Sequence, residues 1–496
     1  MIMKRHKHSL SHYKLLTCDM GKLIPIACFE VLPGDTFQQA TSLLLRVSPL
    51  LSPVMHPVQV RVHHWFVPTR ILWDGWENFI TGGPDGNDES LPPTIAPDGT
   101  WAEGSLADYL GVPPGGSEDV IAFPFMAYQK IWNEFYRDQD LLPEASLNRD
   151  TIQDIAWEKD YFTSARPWPQ KGPDVTLPLG IRAPVRGIMA QSNVYPLTEP
   201  SGFEPDNPDN PVTYDTGKLI GDTDGEFARH FFVDGPDDTG GPNIYADLTA
   251  ATAVNVNDVR RAFALQRYEE ARSRYGSRYT EYLRYLGVRS SDARLQRPEY
   301  LGGGKQTISF SEVLQTAPDS DEGTSTGGVA TMRGHGISAL RSRRYRRFFE
   351  EHGYVLSLIS VRPKTIYANG LHRMWFRQTK EDFWQKELEH IGQQEVYNRE
   401  VYFPHADPGE VFGFQDRYAE YRHLPSNISG EFRSILNYWH LARIFGAAPA
   451  LNADFVSCDP SKRINAVQDQ DVLWIMANHS IQARRMVSRS AAGRIY

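Results

Sequence analysis

Between Pro57 and Pro68, Val58, Val60 and Val62 alternate with Gln59, Arg61 and His63, the period-two pattern of a strand that buries one face. A second segment, Tyr354–Arg362 (YVLSLISVR), is apolar almost throughout, which predicts a strand buried on both faces. Strands that must find partners across such a separation fit a jelly roll, in which long excursions leave the sheets and return. Helical spacing belongs to the excursions. Phe125, Tyr128, Ile131, Trp132 and Phe135 make an apolar face over Pro124–Tyr136. Asn257 or Asp258 can cap a helix whose stripe holds Val259, Phe263, Tyr275, Tyr279, Leu283 and Leu286 before Gly287. Aromatic residues at helical spacing predict a third helix over Gly430–Ile444. Each stripe reads as core packing, and no fixed-period repeat suggests a solenoid or propeller. The chain reads as one elaborated domain.

Composition sharpens this reading. The 39 glycines and 34 prolines are spread through 496 residues and break them into short segments, while 41% hydrophobic residues supply a core. A mainly β protein is expected. No stretch approaches the roughly 18 to 20 uninterrupted apolar residues of a membrane span, and the basic start around Lys4, Arg5 and Lys7 lacks a signal-peptide pattern. Cys18, Cys28 and Cys458 form no CxxC pair and read as buried free thiols of a reducing compartment.

Charge changes the picture more. From Glu199 to Asp247, twelve acids and two bases give −10; because the whole chain carries −9, the remainder carries +1. Runs such as Glu204-Pro205-Asp206-Asn207-Pro208-Asp209 and Asp234-Gly235-Pro236-Asp237-Asp238 break any helix. Residues 181–256 are therefore expected to form an exposed acidic insertion, turned away from nucleic acid by its own charge. Segments 1–180 and 257–496 supply the remaining fold. Basic residues gather elsewhere: Lys4, Arg5 and Lys7; Arg341, Arg343, Arg344, Arg346 and Arg347 around Tyr345; and Arg484, Arg485, Arg489 and Arg494. These are candidate DNA-facing residues, since guanidinium pairs with phosphate and a ring such as Tyr345 can stack on an unpaired base.

Catalytic motifs fail one by one. Gly302-Gly303-Gly304-Lys305-Gln306-Thr307 lacks the first glycine and the magnesium-binding hydroxyl of a phosphate loop. Gly334-His335-Gly336-Ile337-Ser338-Ala339 reads as a flexible loop and not as a dinucleotide site. His63 and His64, adjacent on a strand, point to opposite faces and cannot jointly hold a metal without other ligands, so both read as structural. Asp222-Thr223-Asp224-Gly225-Glu226 reads as a solvated turn without the order of a calcium loop. No enzyme, cofactor or metal site is expected. The rival class is a β-sandwich glycan-binding protein or carbohydrate hydrolase using loop carboxylates.

Several phrases in order carry more information than any single motif. They are Leu16–Pro25 (LTCDMGKLIP), Phe66–Gly83 (FVPTRILWDGWENFITGG), Asp160–Trp168 (DYFTSARPW), Asp292–Gly303 (DARLQRPEYLGG), Phe412–Arg422 (FGFQDRYAEYR), Gly430–Ser434, Trp439–Arg443 and Asp459–Arg463 (DPSKR). Together they resemble the major capsid protein of the Microviridae, small single-stranded DNA bacteriophages, in the gokushovirus branch. The resemblance implies an eight-stranded antiparallel jelly roll that assembles through pentamers into an icosahedral shell. That shell would enclose circular single-stranded DNA, be built in the bacterial cytoplasm and draw help from other phage proteins. It further implies that the acidic insertion projects at threefold axes toward a bacterial receptor. The candidate contacts there are Glu204, Asp206, Asp209, Tyr214, Asp222, Asp224, Phe231, Phe232, Asp237 and Asp238. After Asp471 the sequence departs from the family pattern, where Val472–Ala477 leads into the arginine-rich tail.

Overall fold

A computed structural model describes residues 5–84, 87–173, 256–275, 296–316 and 329–487, with short strands at 185–186, 188–190, 213–215, 230–233 and 245–246. The chain divides into two compact units, Met1–Gln170 with Arg272–Tyr496, and Lys171–Ala271. The smaller unit contains residues 181–256, the segment read from the sequence as an acidic insertion.

In the larger unit, two antiparallel sheets are built from β1 (His6–Ser9), β2 (His12–Cys18), β3 (Leu23–Val31), β4 (Thr36–Val47), β5 (Val58–Pro68), β6 (Glu299–Thr307), β7 (Ser309–Leu314), β8 (Met332–Arg341), β9 (Tyr345–Phe348), β10 (Gly353–Pro363) and β11 (Leu473–Arg485). The first sheet runs β1-β11-β4-β8-β7, with β2 also on β11 and β9 also on β4; the second runs β6-β5-β10-β3. The protein is mainly β, with antiparallel sheets packed as a sandwich.

Alternation decides what lies between the sheets. Leu43, Leu45 and Val47 of β4 and Leu473, Ile475 and Ala477 of β11 meet Ile24 and Ile26 of β3, Val58, Val60 and Val62 of β5, and Ile359 and Val361 of β10. Each Val, Leu or Ile side chain among them contributes about 1.5–3 kcal/mol by leaving water. The other face of the second sheet is covered by α1 (Leu106–Leu110) and α2 (Phe123–Phe135), where Phe125, Tyr128 and Ile131 pack with Trp65, Val67, Leu356 and Leu358. Hence β10 is buried on both sides, which is why its sequence is continuously apolar. Tyr128 fixes α2 by donating from its hydroxyl to the Leu23 carbonyl at 2.8 Å and accepting from the Gln153 N–H at 2.9 Å.

Toward one end, the space between the sheets turns polar. His64 Nδ1 and Nε2 lie 2.8 Å from Ser357 Oγ and 3.1 Å from Ser342 Oγ. His479 Nδ1 lies 2.9 Å from Thr41 Oγ1, and Gln39 donates to Ser357 at 3.1 Å while accepting from the Tyr345 hydroxyl at 2.7 Å. Burial is tolerable because these groups satisfy one another.

Four expectations are corrected. Gly334–Ala339 is no loop but part of β8: Gly334 lets the Ser52 carbonyl approach to 2.3 Å of where a Cβ would stand, and Gly336 makes room for Val47 and Phe310. The helix expected over Gly430–Ile444 is instead two short 3-10 turns, Gly430–Arg433 and Asn437–Trp439, before extended backbone. Arg463 donates to the carbonyls of Asn437, His440 and Ala442, diverting acceptors that a helix would need for its own ladder. In α3 (Val256–Tyr275), Asn257 and Asp258 fall inside the first turn, and Phe263 is 65% exposed. The stripe stops because Gln266, Arg267 and Glu270 occupy the next turn; Tyr279, Leu283, Leu286 and Gly287 lie outside the described residues. All three cysteines are free, but only Cys18 and Cys458 are buried, with Cys28 partly so.

Burial holds the His64 imidazole down to about 3 and that of His479 to about 4. In the unfolded chain both protonate near pH 6.5, so between these limits the unfolded state binds more protons. Stability is full above about pH 6.5 and is lost on acidification through this window, by up to about 1.4 kcal/mol per pH unit for each ring. His64→Gln is expected to flatten the fall in urea midpoint between pH 7 and pH 5; an unchanged slope would remove His64 from the acid response.

Candidate nucleic-acid interface

Because strand side chains alternate, the first sheet has an outward face whose composition follows from register alone. Lys7 pairs opposite Arg484, Arg484 opposite Thr36, and Thr36 opposite Phe348; Arg346 stands opposite Gln38, and Arg341 opposite Ser42. Trp474 pairs with Arg46, which pairs with Ile337, and Arg333 lies further along β8. Lys7, Arg46, Arg333, Arg341, Arg346 and Arg484 are all exposed. Between them lie Ser42, Asn478, Ser480 and Gln482, with Tyr13 and Trp474 exposed at 71% and 44%.

No outward position of these described strands carries Asp or Glu. Glu312 stands opposite Gly334 and by register belongs to the other side, and Asp471 is at the rim, where it accepts from the Thr17 hydroxyl at 2.6 Å. In a chain with net charge −9, a cationic face free of carboxylates is a selective concentration of positive charge. It offers guanidinium for phosphate, amides and hydroxyls for sugar or base edges, and aromatic rings for unpaired bases.

The basic residues singled out in the sequence divide into several environments. Lys7, Arg341, Arg346 and Arg484 share the outward face. Arg343 and Arg344 instead border a cleft of about 450 Å³ with His63, Tyr300 and Gly302–Gly304. Arg347 pairs with Glu299 at 3.0 Å. Arg5 donates to the Gly34 carbonyl at 3.1 Å and lies 5.4 Å from the Phe348 ring centre. Arg485 turns inward, donating to buried Asp35 at 2.9 Å and to the Glu30 carbonyl at 2.6 Å, with its guanidinium over Phe37. Lys4, Arg489 and Arg494 lie outside the described residues. Tyr345 is buried and spends its hydroxyl on Gln39, so the base-stacking role expected of it is corrected. Arg46, Arg333 and Trp474 escaped the sequence reading because each is isolated from other basic residues along the chain; only the strand register assembles them.

In the smaller unit, Tyr214 pairs opposite Phe231, and Phe232 opposite Met189, so the acidic insertion has short strands of its own. Glu204, Asp206, Asp209, Asp222, Asp224, Asp237 and Asp238 lie outside the described residues, as does the 222–226 turn. Elsewhere the chemistry is structural. His63 Nδ1 lies 2.6 Å from the Tyr136 hydroxyl, on the opposite face of β5 from His64. Burial pushes the Cys28 and Cys458 thiols up to about 12, leaving them protonated and poor nucleophiles near neutral pH. Among the described residues, no three His, Cys, Asp or Glu side chains gather to hold a metal, and no helix is long and apolar enough to cross a membrane.

The family model described as "Capsid protein (F protein)" matches residues 1–493. The chain is 37% identical to capsid protein VP1 of Bdellovibrio phage phiMH2K, over 89% of this chain and 85% of that protein. It is 34% identical to capsid protein VP1 of Chlamydia phage 1, covering 94% and 92%, and 33% identical to that of Spiroplasma virus 4, covering 92% and 88%.

The two neighbouring arginines of β11 should separate by substitution. Arg485→Ala strands the buried Asp35 carboxylate and is expected to lower stability by about 3 kcal/mol, whereas exposed Arg484→Ala should stay within about 0.5 kcal/mol of the parent. Urea unfolding of both variants checks this, and equal losses would refute the division.

Proposed function

The chain belongs to the capsid protein (F protein) family of Microviridae-type phages, and from that premise we propose that it assembles through pentamers into an icosahedral shell around circular single-stranded DNA. As a member of that family it is a structural protein of the virion and not an enzyme. The observation that carries the DNA part of this reading is the outward face of the first sheet, with six cationic side chains and no carboxylate. Turned toward the interior, it neutralises phosphate without reading sequence, as a container for a whole genome requires.

Strand order supports the jelly-roll reading. With β2, β3, β4, β5, β6, β8, β10 and β11 counted as eight successive strands, the sheets run first-eighth-third-sixth and second-seventh-fourth-fifth. This is the arrangement left when one long hairpin of strands rolls up on itself. Shell formation then multiplies modest subunit contacts by symmetry. The acidic insertion is the natural outward element, since its charge of −10 between Glu199 and Asp247 repels the genome; on this reading Tyr214, Phe231, Phe232 and the acids around them meet the bacterial surface. Synthesis and assembly take place in the host cytoplasm with other phage proteins assisting.

Electron microscopy and sedimentation of the protein from infected cells should give uniform icosahedral particles containing this chain; monomers or small oligomers alone would overturn the shell. Binding of dissociated subunits to single-stranded DNA should weaken with salt, each neutralised phosphate contributing about 0.7 to the logarithmic slope. Replacing Arg341, Arg346 and Arg484 together by Gln should reduce that slope by about 2. A slope unaltered by the triple substitution would move the DNA to another surface.

A further inference from the structure

At the β7–β8 side of the basic face, a groove of about 700 Å³ opens between strands and loops, a volume in the range of sites that enclose small organic ligands. Leu50, Leu51 and Ile337 give it an apolar lining, Trp474 forms one wall, and Arg46 and Arg333 stand at its border. Trp474, Arg46 and Ile337 share one rung across β11, β4 and β8. Arg333 is tied by a long 3.4 Å hydrogen bond from its guanidinium to the Leu51 carbonyl, and Leu50 donates to the Gly334 carbonyl at 3.1 Å, which holds the loop against β8. The Trp474 ring has neither an aromatic nor a hydrogen-bonded partner among the described residues.

We propose that this groove is a slot for one unpaired DNA base, which stacks on Trp474 and packs over Leu50, Leu51 and Ile337 while Arg46 and Arg333 hold the flanking phosphates. The inference rests on the reading of the sheet face as DNA-binding and adds to it a preference for single strands. An apolar groove alone would suit a peptide equally well. Here its cationic border is continuous with a face that carries no outward carboxylate, and that charge pattern fits a polyanion. Only an unpaired base can leave its neighbours and enter; a duplex keeps its bases stacked inside and offers no base face for an aromatic ring to stack on.

The test uses dissociated full-length subunits and two labelled probes of equal length and charge, oligo(dT) and an abasic deoxyribose-phosphate chain, read by fluorescence anisotropy at fixed salt. The parent protein is expected to favour oligo(dT) by about tenfold, within the range that stacking on an aromatic side chain provides. Trp474→Ala should erase that preference while leaving affinity for the abasic chain unchanged, and Trp474→Phe should retain most of it. Equal binding of both probes by the parent, or a preference that survives Trp474→Ala, overturns the slot and leaves the sheet-face reading intact. Binding of neither probe overturns both.

Discussion

Everything in the larger unit depends on one ladder, the antiparallel pairing of β4 with β11. It joins a strand near the beginning of the chain to one near its end. β11 also carries β1 and β2, so the N-terminal strands have their sheet partner only after this distant segment arrives. Leu473, Ile475 and Ala477 belong to the same apolar cluster as Leu43, Leu45 and Val47, and sheet and sandwich core must therefore close together. Ordering so long a loop carries a large entropic cost before any contact offsets it, which makes this topology slow to fold.

The same ladder creates the basic face. Lys7, Arg346 and Arg484 come from three remote parts of the sequence, and the β1–β11–β4–β9 register brings them to one side of one sheet. Register also decides which bases do not join them. Arg485, one residue beyond Arg484, falls on the inner side, where Asp35 needs a countercharge. A shift of one residue would exchange these two roles and bury the wrong cation.

Much of this was legible in the chain where a long, regular period coincided with burial. Val58–Pro68 and the apolar run within Gly353–Pro363 became adjacent strands, and the aromatic face near Pro124 became α2. Failures came where tertiary partners overrode local pattern. Nothing near Gly334 reveals that the Ser52 backbone will press against it, and nothing near Trp439 reveals that Arg463 will take the carbonyls of that segment. Leu473–Ala483 carries a period-two signal as well, in a stretch where the sequence departs from the family pattern, and it forms most of β11. The candidate site was half visible for a related reason: clustered arginines stand out in a linear reading, whereas Arg46, Arg333 and Trp474 become neighbours only through pairing.

The outward face also sets terms for how the sequence can drift. Its side chains contribute little to the packed interior, so size and shape are only weakly constrained there, and exchanges among Arg, Lys, Gln, Asn and Ser cost the fold little. If the face meets DNA as proposed, a single carboxylate would be different in kind, because it would cancel one cation and repel the phosphates that its neighbours attract. On that proposal, variation at the polar and basic positions of this surface is filtered by the sign of charge more than by identity. The face can keep its purpose while its individual residues change places.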